Sequence, residues 1–155
     1  MIRFADGAEA RYSVIANPDS AFVVLYFDNG DTMLVRQWRH AWNRSSWEVP
    51  AGTAEKGEDP LECARRELAE ETGLIAARYT SLGSVHGAAI LTGSAHLFLA
   101  EELTVSVRAP ERYEEDMEVL RLPFAEALEA AFDREIVHSG SVTALCRAAR
   151  KLKLL

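Results

Sequence analysis

Glu67, Glu70 and Glu71 stand three and four residues apart near the end of GTAEKGEDPLECARRELAEETGL, the stretch from Gly52 to Leu74. Pro60 suits the opening of a helix there and Gly73 its close, so the acids crowd one flank of a single short helix. Like charges at these spacings repel, at roughly 0.2–0.5 kcal/mol for each pair. A Glu-rich helix is usually a solvated face laced with ion pairs, and Glu62, Arg66 and Glu70 fit that description at four-residue steps. Glu67 and Glu71 do not fit it. Their helical neighbours, Cys63, Ala64, Leu68, Leu74 and Ile75 besides the acids themselves, include no cation. At about 100° per residue the acids fall beside the arc of Leu61, Ala64 and Leu68, which should pack on a sheet. An acidic cluster at the edge of a core needs a compensating charge, and no side chain on this helix is expected to supply it. A hard divalent cation would, since Mg²⁺ takes carboxylate oxygens, keeps several waters and accepts substrate phosphates as further ligands.

The elements that must position this helix can be read coarsely. Phe22 to Phe27 (FVVLYF) and Thr32 to Trp38 (TMLVRQW) read as strands, and Asp28-Asn29-Gly30-Asp31 between them carries a hairpin-turn signal. An earlier strand is expected from Ala10 to Ile15, ending at the Asn17-Pro18-Asp19 turn. After Gly52 an irregular loop leads to the helix, expected from Pro60 to Glu71. Further strands are expected at Arg78 to His86, Ala95 to Ala100 and Glu118 to Leu122. Pro123 opens a second helix, PFAEALEAAF, and a third runs from about Ser141 to a basic end that suits the negative pole of its dipole. The order of elements is mixed α and β around one sheet.

At 155 residues the chain is expected to form one domain, with residues 1–20 as an N-terminal strand extension. Hydrophobic residues make up 48% and charged residues 26%, as in ordinary soluble domains. No apolar run approaches the ~20 residues needed to span a bilayer, and the N-terminus is charged where a signal peptide would be apolar. Two cysteines, Cys63 and Cys146, are too few for a disulfide framework, and a cytoplasmic location is the expectation. Acids outnumber bases by 24 to 17, a formal net charge of -7, which argues against a nucleic-acid polymer as partner. A small phosphorylated substrate remains compatible with that charge, provided cations join the two acidic parties.

The motif itself is more specific. Gly52, five residues, Glu58, seven residues, then Arg66-Glu67-Leu68-Ala69-Glu70-Glu71-Thr72-Gly73-Leu74 resembles the Nudix box at every defining position. The resemblance implies an α/β/α sandwich with a mixed central sheet, and an enzyme hydrolysing a diphosphate linked to another group. It implies Mg²⁺ as cofactor, with Mn²⁺ able to substitute. Glu67 and Glu71 would be the main metal ligands, Glu70 would share in coordination, and the backbone carbonyl of Ala51 would be a further ligand. Arg66 would hold the carboxylates in place and Glu58 would brace the loop against the helix. A general base is sought, by the same resemblance, on a loop before the last strand. Here YEEDMEVLRLP (Tyr113 to Pro123) offers Glu115 first and Glu114 second, with Glu118 opening the strand.

Three flanking segments resemble the branch of the family acting on ADP-ribose and other nucleoside diphosphate sugars: LVRQWRHAW (Leu34 to Trp42), WEVPAG (Trp47 to Gly52) and HLFLAEEL (His96 to Leu103). By position, Arg39 is similar to the arginine that contacts substrate phosphate there, and Glu48 to an acid that accepts hydrogen bonds from substrate. Trp38 and Trp42 could offer a face to a base, although a tryptophan beside a strand is more often core. None of His40, His86, His96 and His138 has ligand spacing. Enzymes selective for ADP-ribose commonly carry a proline where this chain has Ala89, which widens the expected substrate to nucleoside diphosphate sugars in general. The resemblance also implies a homodimer. A nucleoside-triphosphate or dinucleoside-polyphosphate hydrolase is the second enzymatic reading; the latter usually has a tyrosine near Ile90. A nucleotide-sensing module without catalysis is the third, and the intact set of carboxylates speaks against it.

Overall fold

The apolar run after Asp19 becomes the central strand. Two short strands, β1 (Ile2–Arg3) and β2 (Glu9–Ala10), precede β3 (Ser20–Leu25), in which every residue after Ser20 is buried. The structure, a computed structural model, describes residues 1–107, 116–133 and 135–155. Beyond β3 come β4 (Asp31–Arg39), a 3-10 turn (His40–Trp42), β5 (Arg44–Glu48), β6 (Ala51–Thr53) and α1 (Pro60–Thr72). They are followed by β7 (Leu74–His86), β8 (Ser94–Val105), β9 (Glu118–Pro123), α2 (Phe124–Phe132) and α3 (Ser139–Leu152).

One sheet has the order β6-β3-β8-β7, with β3 and β8 parallel and the outer pairs antiparallel. A second, antiparallel sheet has the order β5-β4-β9. Alternate residues of β3 face opposite sides, as the strand period requires. Ala21, Val23 and Leu25 pack with Cys63, Ala64 and Leu68 of α1. Phe22 and Val24 pack with Leu145 and Ala148 of α3 and with Phe124 of α2. The expected α/β/α sandwich with a mixed sheet is therefore the observed architecture. Burying Leu68 alone contributes about 1.5–3 kcal/mol to holding α1 on the sheet. Asp59 caps that helix by accepting the Leu61 N–H at 2.8 Å, and Gly73 ends it in the left-handed region at φ 69°. Among the described residues no helix is long and apolar enough to cross a membrane.

Four expectations need correction. The Asn-Gly turn closes locally, Phe27 N–H donating to Asp31 O at 3.0 Å and Gly30 N–H to Phe27 O at 2.9 Å, but β3 and β4 separate into different sheets. A strand apolar on both faces belongs at the centre between two helical layers, whereas β4 carries Arg36, Gln37 and Arg39 toward an open cleft. The strand expected from Ala10 to Ile15 pairs only at Ala10, with Ile15 making one isolated bridge to Leu91. Strand propensity there finds no continuous edge to bond. The expected loop after Gly52 begins only at Ala54, because Ala51–Thr53 pairs with β3, and β5 was not foreseen at all. Lastly, β7 and β8 run longer than expected at the ends that pair with each other, Leu74 opposite Val105.

Candidate active site

Arg66 is the hub of the acidic flank. Its Nε and Nη2 donate to the two oxygens of Glu58 at 2.9 and 3.0 Å, and its Nη1 to Glu67 at 2.7 Å and Glu70 at 3.1 Å. The expectation that no side chain on the helix answers Glu67 is thus wrong. Adjacent helical residues do not normally face each other, but the long Arg66 side chain folds back along the helix edge. Glu58 also accepts the Glu55 N–H at 2.8 Å, which ties the loop to the helix.

These partners set the acidities. The Arg66 guanidinium and the Glu55 N–H hold the Glu58 carboxyl at about 2, against an ordinary 4.5, with burial opposing them. A depressed carboxyl adds stability above its unfolded value and loses it as pH falls through the folded one. Glu58→Gln should therefore be less stable than the parent at neutral pH, and the deficit should shrink as pH falls from 4.5 toward about 2. Urea unfolding at several pH values reads this directly. Burial, reinforced by Glu67 and Glu58, pushes the Cys63 thiol up to about 12, so it is a neutral thiol and no nucleophile.

Glu71 is fully buried. It accepts the Ala51 N–H at 3.0 Å and the Gln37 amide N–H at 2.9 Å, so β6 and β4 both lean on the same carboxylate. Gly52 lies under Glu67, and a Cβ added there would overlap the Glu67 carboxylate. Among the described residues no three His, Cys, Asp or Glu side chains are gathered as a metal-binding group. Glu67 and Glu70 are drawn to Arg66, and Glu71 to β6 and β4. The donor chemistry nevertheless fits a hard dication, being carboxylate oxygens backed by a strand edge whose glycine leaves room.

Around the end of β4 opens a cavity of about 680 Å³, whose walls include Arg36, Gln37, Trp38, Arg39, Trp42 and His138. Its size suits a ligand of nucleotide dimensions. Arg39 holds Glu48 as a fork, Nε to Oε1 at 2.9 Å and Nη2 to Oε2 at 2.6 Å. Arg36 pairs with Glu118 at 2.7 Å. An acidic protein thus lines its cleft with two guanidinium groups, each tethered by a carboxylate.

A family description of the NUDIX domain matches residues 16–139. The chain belongs to the Nudix family. It is 31% identical over 146 residues to an ADP-ribose pyrophosphatase of Bacillus subtilis (strain 168), spanning 93% of this chain and 79% of that protein. It is 33% identical over 144 residues to an ADP-ribose pyrophosphatase of Mycobacterium tuberculosis, spanning 91% of this chain and 70% of the other. In fold it resembles the crystal structure of an ADP compounds hydrolase, with TM-score 0.83 and 21% identity over 97% of this chain and 82% of that one. As a Nudix enzyme, the protein is a hydrolase acting on pyrophosphate bonds.

Within this Nudix domain the residues singled out from sequence fall into three places. Arg66, Glu67, Glu70, Glu71 and Ala51 lie together where α1 meets β6. Arg39 and Glu48 meet each other, and Trp38 is 51% exposed at the cavity instead of in the core. Glu114 and Glu115 lie outside the described residues, while Asp116 and Met117, which follow them, line the cavity. Sequence reading missed Gln37 and His138. A signal existed for Gln37, since it is two residues from Arg39 on one strand and shares its face; none existed for His138. Gly52→Ala should leave this Nudix fold intact, because the obstructing atoms end a flexible side chain. It should lower turnover by about 10²-fold through displacement of Glu67, measured as steady-state hydrolysis beside a circular-dichroism spectrum.

Proposed function

We propose that this enzyme hydrolyses the pyrophosphate bond of a nucleoside diphosphate sugar, with ADP-ribose the first candidate, releasing a nucleoside monophosphate and a sugar phosphate. The reading rests on one observation: Gln37 lines the cavity and also donates to Glu71, so the cleft adjoins the acidic flank of α1. The two curated relatives described above, both ADP-ribose pyrophosphatases, support it.

Glu67, Glu70, Glu71 and the Ala51 carbonyl would hold Mg²⁺, or Mn²⁺ in its place. Such an ion, when bound, offsets phosphoryl charge and lowers the pKa of a water. Arg66 restrains the carboxylates so that they do not repel one another apart. Arg39, held by Glu48 through its fork edge in the free protein, offers that guanidinium fork to a substrate phosphate in exchange for Glu48. Trp38, exposed at the cavity wall, gives the nucleoside an apolar face. Glu115, or failing that Glu114, takes the proton of the attacking water. The exposed side chains of Phe4, Val14 and Ile15 in the N-terminal segment support a homodimer, and the free cysteines Cys63 and Cys146 support a cytoplasmic setting.

The test is a substrate panel with Mg²⁺: ADP-ribose, ADP-glucose, GDP-mannose, NADH, dinucleoside polyphosphates and nucleoside triphosphates, with products separated. Monophosphate plus sugar phosphate supports the reading. Inorganic pyrophosphate from triphosphates, or binding without any product, overturns it.

A further inference from the structure

Glu48 has a problem that His138 can solve. The Glu48 side chain is only 1% exposed, and both of its oxygens accept from Arg39, whose own side chain is 32% exposed at the cavity. If Arg39 turns to an anionic substrate, as the proposed function has it, a buried carboxylate gives up its cation. That is among the costlier events inside a protein unless another donor takes over.

A donor stands close by. His138 Nδ1 lies 3.8 Å from Glu48 Oε2, beyond hydrogen-bond reach. It is buried and has no hydrogen-bond partner among the described residues. Buried polar atoms without partners are rare and call for a reason. The ring is stacked on Phe22 at 5.0 Å and tilted 43° against Trp42 at 5.6 Å, contacts that closing of the gap by Glu48 leaves in place. The charged groups acting on it are Glu48 of β5 and Arg39 at the end of β4; Phe22 of β3 and Trp42 of the 3-10 turn carry none. Burial and Arg39 disfavour a proton on this imidazole while Glu48 favours it, and departure of Arg39 shifts that balance toward Nδ1–H.

We propose that His138 receives the Glu48 carboxylate when Arg39 engages the substrate's diphosphate, making His138 a positioning residue for substrate binding. The partner exchange is a swap of donors on one buried acceptor. Arg39 leaves Glu48 for phosphate, Glu48 swings the short distance to His138, and no carboxylate is left bare. On product release the exchange reverses.

Calorimetric binding of the α,β-methylene analogue of ADP-ribose, which cannot be cleaved between its phosphorus atoms, tests this without turnover. His138→Phe keeps the stacked ring without its nitrogens and should weaken binding about tenfold. His138→Asn, whose amide N–H stands where Nδ1–H would, should bind within about threefold of the parent. In an Arg39→Ala background the Phe exchange should have no further effect, since no handover occurs. Imidazole ¹⁵N resonances of His138 should move toward a hydrogen-bonded Nδ1–H donor on binding in the parent and stay put in Arg39→Ala. Parental affinity in His138→Phe, or equal weakening in both backgrounds, overturns this inference alone. Undiminished binding by Arg39→Ala overturns the Arg39 contact to phosphate and this inference, leaving the substrate reading in place; no binding by the parent overturns the substrate reading and this inference with it.

Discussion

Glu67→Gln should lower hydrolysis of the best substrate by about 10²–10³-fold while the protein stays folded. The exchange keeps shape and removes one full charge. Arg66 retains Glu58 and Glu70 as partners, and an amide oxygen can still accept its Nη1, so the melting temperature should move by only a few degrees. The loss belongs to kcat and to the cation requirement: the amount of Mg²⁺ needed for half-maximal rate should rise. Glu71→Gln makes the informative contrast. Its carboxylate accepts two N–H groups, from Ala51 and Gln37, and an amide there gives up the charge on both bonds and keeps the second only if Gln37 turns its own oxygen to the new NH₂. That variant should lose activity and also about 1–3 kcal/mol of stability. Wild-type turnover with an unaltered cation titration in Glu67→Gln would remove the acidic flank from catalysis.

Arg66→Ala should destabilise the fold strongly for a change at a partly exposed charged residue. Three carboxylates, Glu58, Glu67 and Glu70, lose the one guanidinium that spans them. Removing one partner of a desolvated ion pair costs about 3–5 kcal/mol, and partial exposure of the arginine, 26% of its side chain, favours the lower end. For a chain of this size about 3 kcal/mol corresponds to a fall in Tm of roughly 6–12 °C. Arg66→Lys should recover little, because a point charge cannot serve both oxygens of Glu58 and still reach Glu67. Added Mg²⁺ should raise the Tm of Arg66→Ala more than that of the parent, since the ion then supplies charge the arginine did. An unchanged Tm in Arg66→Ala would show that the hub contributes nothing to the fold.

The acidic helix was legible because everything that makes it is local. Its start at Pro60, its end at Gly73 and the grouping of Glu67, Glu70 and Glu71 on one flank follow from a 3.6-residue period and from capping chemistry. The reading failed where a side chain departs from that period, as when Arg66 reaches the neighbouring Glu67. It failed again at the Asn-Gly turn, where local geometry was right and the destination of the two strands was not. A turn fixes how the chain reverses, while burial on both faces decides which strands become neighbours.

From sequence alone came the chemistry in stock: an oxygen-rich acidic flank, a strand ending in arginine, and a family resemblance precise enough to carry residue by residue. Only the tertiary structure brought Gln37 of β4 to Glu71 of α1, Arg39 to Glu48, and His138 at the head of α3 to within 3.8 Å of that same carboxylate. Arg39 and Glu48 meet across the β4–β5 hairpin, whereas Gln37 and Glu71, and His138 and Glu48, lie far apart along the chain, and their meeting is set by how sheets and helices share a core. No period in the sequence records that, because periodicity says which face a residue occupies and packing alone says what that face meets.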